Sequence, residues 1–174
     1  MAGIFDRSIT YALQRLGCEA MTLKPQQRAS VKYVYEGRDV FLWLPTGFGK
    51  SLCYEVLPFV FDVKLGRVDS VTSVVIVVSP LVSLMVDQAR SLRARGVQAA
   101  IMSSASGVDK DLIAKEEDLG NSSVLFCAPE SIVCSRWREA LEKPELSTRV
   151  RGFLALCTVG SRLRRARPGR LSGR

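Results

Sequence analysis

The residues most able to do chemistry lie in one run, Leu44-Pro-Thr-Gly-Phe-Gly-Lys-Ser51. A short apolar run, DVFLWL (39–44), precedes it and reads as a strand covered on both faces. A second apolar run, Ser51 to Phe61, follows and reads as a buried helix. Strand, glycine-containing loop and helix in that order are the setting of a phosphate-binding loop. Gly47 and Gly49 let the backbone turn so that successive N–H groups converge on phosphate oxygens. Lys50 would place its ammonium on the β- and γ-phosphates of ATP, and the Ser51 hydroxyl would ligate Mg²⁺. Lys50 and Ser51 are thus the candidate catalytic residues, and Pro45, Thr46, Gly47, Phe48 and Gly49 complete the loop. The pattern GxxxxGK[ST] is met except at its first position, which is Leu44. The bland alternative is an ordinary glycine-rich turn with a surface lysine.

The elements around this loop alternate. Ile9, Ala12, Leu13 and Leu16 recur at helical spacing before Gly17. A second helix starts near Pro25 and ends at Gly37. Beyond the loop come a strand (73–78), a helix (81–94), a weak strand (97–102) and a charged helix (108–119). A strand (123–128), a helix (130–142) and a last strand (153–156) follow. Such alternation predicts a mostly parallel sheet with helices on both faces. The domain division expected is a helical segment over 1–22, an α/β unit over 23–157 and an Arg-rich, disordered tail over 158–174.

Composition narrows the function. The chain has 174 residues, no His and a net charge of +8. Without His, there is no Ser–His or Cys–His nucleophile pair and no imidazole-bound metal. Residues 161–174 hold six Arg and no acidic residue, so the remaining 160 carry a net charge of only +2. The five Cys show no CxxC pairing and read as thiols in a reducing compartment. Asp6 and Arg7 interrupt any N-terminal apolar region, and the longest uncharged run, Ser70 to Val86, falls short of a membrane span. A soluble intracellular protein is expected, nuclear or, in a prokaryote, cytoplasmic.

PTGFGKSLCYE (45–55) resembles the motif I region of RecQ-type DNA helicases of superfamily 2, which often lack the first glycine of the loop. SPLVSLMVDQ (79–88) resembles that family's motif Ia. LKPQQ (23–27) resembles its adenine-reading element, and LFCAPE (125–130) a segment that contacts DNA. Four motifs occur in the family's order from about residue 10 to residue 156. The resemblance implies a RecA-like lobe of the P-loop NTPase class, C-terminally truncated relative to the family. It adds Lys24 and Gln27 to the ATP-binding set, with Gln27 reading adenine. It places single-stranded or forked DNA against Ser79, Pro80, Ser83, Ala128, Pro129 and Glu130. Each of these residues taken singly has a bland reading, as a solvated helix residue, a strand end or a helix N-terminus.

One feature of the family is replaced. Its fifth strand leads into an acidic DEAH motif, whereas FLAL (153–156) leads into Cys157, Thr158, Val159 and Gly160. No Asp or Glu follows Glu145. Hydrolysis needs a held metal and a positioned water, and unwinding needs a second lobe. The expectation is an ATP- and DNA-binding helicase lobe unable to unwind alone, from a truncated gene product. The alternatives are a non-catalytic regulatory splice form and, less favoured, a small P-loop kinase. Such kinases place the loop near the N-terminus, and 43 residues precede Leu44 here. The tail itself reads either as a nucleic-acid-binding or nuclear-localisation arm or as a solvated terminus.

Overall fold

The computed structural model describes residues 3–68, 73–103, 110–115, 119, 121–156 and 161–165. Among the described residues six strands form one sheet: β1 (Val40–Leu42), β2 (Val74–Val78), β3 (Ala99–Met102), β4 (Val124–Cys127), β5 (Val150–Leu156) and β6 (Ser161–Arg165). Their order across the sheet is β1-β6-β5-β2-β4-β3. The block β5-β2-β4-β3 is parallel, with Val75 opposite both Val124 and Gly152. β6 runs antiparallel to both of its neighbours, β1 and β5.

Alternation along the strands builds two cores. Val75, Val77, Ile101, Phe126 and Leu154 face one layer, made by α1 (Ile4–Arg15), α2 (Pro25–Tyr35), α3 (Lys50–Glu55), α4 (Leu57–Lys64) and α5 (Val82–Ala94). Val74, Ile76, Met102, Leu125 and Cys127 face the other, with Trp137 at its centre. That side is covered by α6 (Pro129–Val133), α7 (Ser135–Glu142) and α8 (Pro144–Ser147). This is the α/β arrangement expected, a mostly parallel sheet between helical layers. Within the 1–22 segment, Ile9, Ala12, Leu13 and Leu16 are buried in the first core. Cys53 and Cys127 are buried free thiols whose pKa values burial pushes up to about 12. Cys157 lies outside the described residues. Among the described residues, no helix is long and apolar enough to cross a membrane.

The structure departs from the sequence expectations in four places. The helix after the loop is two: Pro58 lacks the N–H that would bond Tyr54, and the chain bends at Val56 before α4. The helix expected over 130–142 breaks at Cys134, whose extended backbone re-aims the chain so that α7 buries Trp137, Ala140 and Leu141. The charged helix expected over 108–119 is, where described, a 3₁₀ turn at Lys110–Leu112. Ile113 then bridges to Ile101 as extended chain, and Ala114 donates its N–H to the Ile101 carbonyl at 2.9 Å. Last, residues 161–165 of the expected disordered tail form a strand. Only four residues separate β5 from β6, too few for the crossover that a parallel pair requires, so the chain returns antiparallel. The rest of the tail lies outside the described residues.

Candidate nucleotide and nucleic-acid site

Because β6 is antiparallel to both β1 and β5, those two strands point the same way. The loops after β1, β2 and β4 therefore leave the sheet on one rim, at the strands' carboxyl ends. This is where open α/β sheets bind ligands.

The loop after β1 has the geometry its sequence requires. Gly47 and Gly49 take φ of 80° and 83°, a region L side chains rarely enter. Gly49 is further restricted by contact, since a Cβ there would lie 2.8 Å from the Gln27 Nε2 atom. The Lys50 ammonium donates to the Leu44 and Pro45 carbonyls at 2.8 and 2.9 Å, so it lies across the mouth of the loop. Ser51 follows on the first turn of α3 and is half-buried.

Gln27 and Lys24 join this loop from α2. The Gln27 side chain is buried, and its Oε1 accepts the Lys24 N–H at 2.8 Å, closing the start of α2. Its Nε2 donates to the Phe48 and Gly49 carbonyls at 3.0 and 2.9 Å. The Lys24 ammonium stands 4.1 Å above the Phe48 ring. Gln27 thus braces the phosphate loop, a positioning role that the motif pattern did not disclose. Gln27→Ala should leave two loop carbonyls without their donors. It is expected to weaken ATP binding by about tenfold, equivalent to ~1.4 kcal/mol, in a fluorescent-nucleotide titration.

Two contacts fix α3 to α5. Tyr54 donates its hydroxyl to Gln88 Oε1 at 3.0 Å and sets its ring edge-on to Phe126. Glu55, buried, pairs with Arg95 at 3.0 Å. Burial pushes the Glu55 carboxyl above the ordinary Glu range, and Arg95 opposes that rise. A raised folded-state pKa means that this acid favours the fold most at low pH and loses that contribution as pH rises through it. Arg95→Met removes the opposing charge. The variant should lose about 3 kcal/mol, with a larger deficit in melting temperature at pH 8 than at pH 5. An equal deficit at both values would show that the ion pair is not what matters there.

The other two loops meet at the same rim. Val78 and Cys127 are register partners, and the Ser79 N–H bonds the Cys127 carbonyl at 2.9 Å. Ser79 and Pro80 therefore adjoin Ala128, Pro129 and Glu130. Ser79 itself is buried, and its Oγ accepts the Leu81 N–H at 3.3 Å. Ser83, Pro80, Pro129 and Glu130 are exposed, while Ala128 is buried. The side chains that this rim offers a ligand are thus Ser83 and Glu130, and Ser79 shapes the turn.

The profile of the DEAD/DEAH box helicase family matches residues 24–148, which include every one of these loops. The chain belongs to that family. Within this helicase family its relatives are of the RecQ type. It is 30% identical over 128 residues to the probable ATP-dependent DNA helicase RecS of Bacillus subtilis, covering 72% of this chain and 23% of RecS. It is 31% identical over 140 residues to the ATP-dependent DNA helicase Q5 of Mus musculus, covering 78% and 13%. It is 46% identical over 81 residues to the ATP-dependent helicase SGS1 of Saccharomyces cerevisiae, covering 47% and 5%. The chain spans less than a quarter of the length of each of these helicases. The fold is similar to that of the DUF1998 helicase MrfA in a crystal structure with DNA and AMPPNP. The TM-score is 0.61 at 16% identity, covering 88% of this chain and 21% of that one.

The loop residues fit a nucleotide triphosphate. The two left-handed glycines open the backbone, and Lys50 is anchored at the loop's entrance. Mg²⁺ finds less: the loop offers the hydroxyls of Thr46 and Ser51, and among the described residues no group of three or more His, Cys, Asp or Glu could hold a metal ion.

Proposed function

We propose that this chain is the ATP-binding lobe of a RecQ-type, ATP-dependent DNA helicase, and that it binds ATP and single-stranded DNA without hydrolysing ATP at an appreciable rate. The observation that carries the reading is the braced loop, in which Gln27 holds the carbonyls of Phe48 and Gly49 beside Lys50. Lys50 would hold the β- and γ-phosphates, and Ser51 would supply one Mg²⁺ ligand. Bound Mg²⁺ would neutralise charge on the phosphates. At the carboxyl end of β5, where a carboxylate could complete a metal site, the sequence instead reads Cys157-Thr158. Hydrolysis needs a carboxylate to help hold the metal and position water, and residues 157–174 include no Asp or Glu to supply one. Ser83, with the neighbouring turn, would touch the DNA backbone without reading bases.

An ATP titration and an ATPase assay with and without single-stranded DNA test this together. The expected result is saturable ATP binding with turnover at background in both conditions. DNA-stimulated hydrolysis by this chain would overturn the catalytic part of the reading. Absence of ATP binding would overturn the whole of it.

A further inference from the structure

A primary amide that reads adenine uses one donor and one acceptor: an N–H given to N7 and an oxygen that takes the N6 amine. The family resemblance implies this task for Gln27, yet its printed contacts are all with backbone. Nε2 donates one N–H to the Phe48 carbonyl at 3.0 Å and the other to the Gly49 carbonyl at 2.9 Å, so neither is left for N7. Oε1 accepts the Lys24 N–H at 2.8 Å. These partners fix which end of the amide is which, because a reversed amide would set its N–H groups against the Lys24 N–H and its oxygen against two carbonyls. The side chain is 3% exposed, and Nε2 is wedged against the loop, where a Cβ on Gly49 would lie 2.8 Å from it. The charged side chains on either side do not supply an acceptor for the N6 amine, since Lys24 and Arg28 only donate. The Lys24 ammonium lies 4.1 Å from the Phe48 ring centroid, and the Arg28 guanidinium pairs with Asp6 and lies 5.0 Å from the Phe5 ring. Freeing Gln27 for a base would leave the Lys24 N–H and two loop carbonyls without these partners, at the loop that must hold the triphosphate.

We propose that this site takes purine nucleoside triphosphates by their triphosphate and not by their base. Gln27 is a positioning residue for the phosphate loop, and ATP, ITP and GTP are equivalent ligands. The site is the one proposed above to hold the triphosphate through Lys50, and indifference to the base presupposes that role. A site that did read adenine would select clearly. Adenine carries an amine at C6 where hypoxanthine and guanine carry a carbonyl. Setting that carbonyl against a buried acceptor would cost about tenfold or more in affinity. No such cost arises where the amide is already spent on the backbone.

Displacement of a ribose-labelled fluorescent ATP from the full chain by unlabelled ATP, ITP and GTP tests this. The three dissociation constants should agree within about threefold, too small a difference for a buried hydrogen bond gained or lost. In Gln27→Ala, ATP and ITP should weaken by the same factor, about tenfold, because the loop is loosened for every triphosphate. A loss confined to ATP would make Gln27 a reader of the base and overturn the proposal. A wild-type preference for ATP beyond about threefold would overturn it whatever the variant does, so the outcome does not depend on how well Gln27→Ala folds. Binding of all three nucleotides without preference supports the proposal and the triphosphate role together. If the labelled nucleotide itself does not bind, the function proposed above falls, and base indifference with it.

Discussion

Lys50→Ala is expected to weaken ATP binding by about a hundredfold or more, while the unliganded chain melts within a degree or two of wild type. The first half follows from charge. A hydrogen bond to an ionised group contributes about 1.5–3 kcal/mol, and Lys50 would make more than one such bond to the phosphates. The second half follows from where Lys50 sits. It is half-exposed, and its partners are the carbonyls of Leu44 and Pro45 at a rim where water can replace it. The two halves must be measured together. ATP should raise the wild-type melting temperature by mass action and leave the variant unmoved. Equal nucleotide affinity in variant and wild type would mean that the loop is an ordinary turn.

Much of this site was legible because its chemistry is local. The glycines, Lys50 and Ser51 are contiguous, and the strand and helix that flank them announce themselves by apolar runs. The parallel block was legible for the same reason: SVVIVV and SVLFCA are continuous apolar strands, as strands covered on both faces must be. What could not be read is set by contacts distant in sequence. That Gln27 braces Phe48 and Gly49 depends on α2 docking against the loop, and nothing in LKPQQ encodes it. The resemblance sets DNA against Ser79, yet its side chain is buried and its Oγ accepts the Leu81 N–H. The Glu55–Arg95 pair spans forty residues and two helices. β6 was missed for a different reason. In SRLRR, Leu163 is the only apolar residue, so the segment carries no hydrophobic alternation. Its place in the sheet comes from backbone pairing with neighbours on both sides.

That pairing makes β6 the second site of large expected effect. Among the described residues β1 pairs with β6 alone, so the strand that carries the phosphate loop joins the sheet through it. Leu163 is its central residue, opposite Val40 on one side and Leu154 on the other. In a strand paired on both edges, a backbone N–H faces one neighbour or the other. Leu163→Pro removes that N–H and fixes φ. The cost is about 3 kcal/mol, and a chain of this length should then melt roughly 6–12 °C lower. Stability is only half of the expected result. With β1 detached, the loop loses its support, so ATP affinity should fall although no loop residue has changed. Hydrogen exchange should quicken at the amides of Val40 to Leu42 before it does at Val75 to Val77, whose partners in β4 and β5 are untouched. Wild-type melting, affinity and exchange in Leu163→Pro would together place β1 in the sheet by some other contact. The ladder between β1 and β6 has three register pairs, fewer than any other ladder among the described strands, so the loop's order depends on the shortest pairing in the sheet.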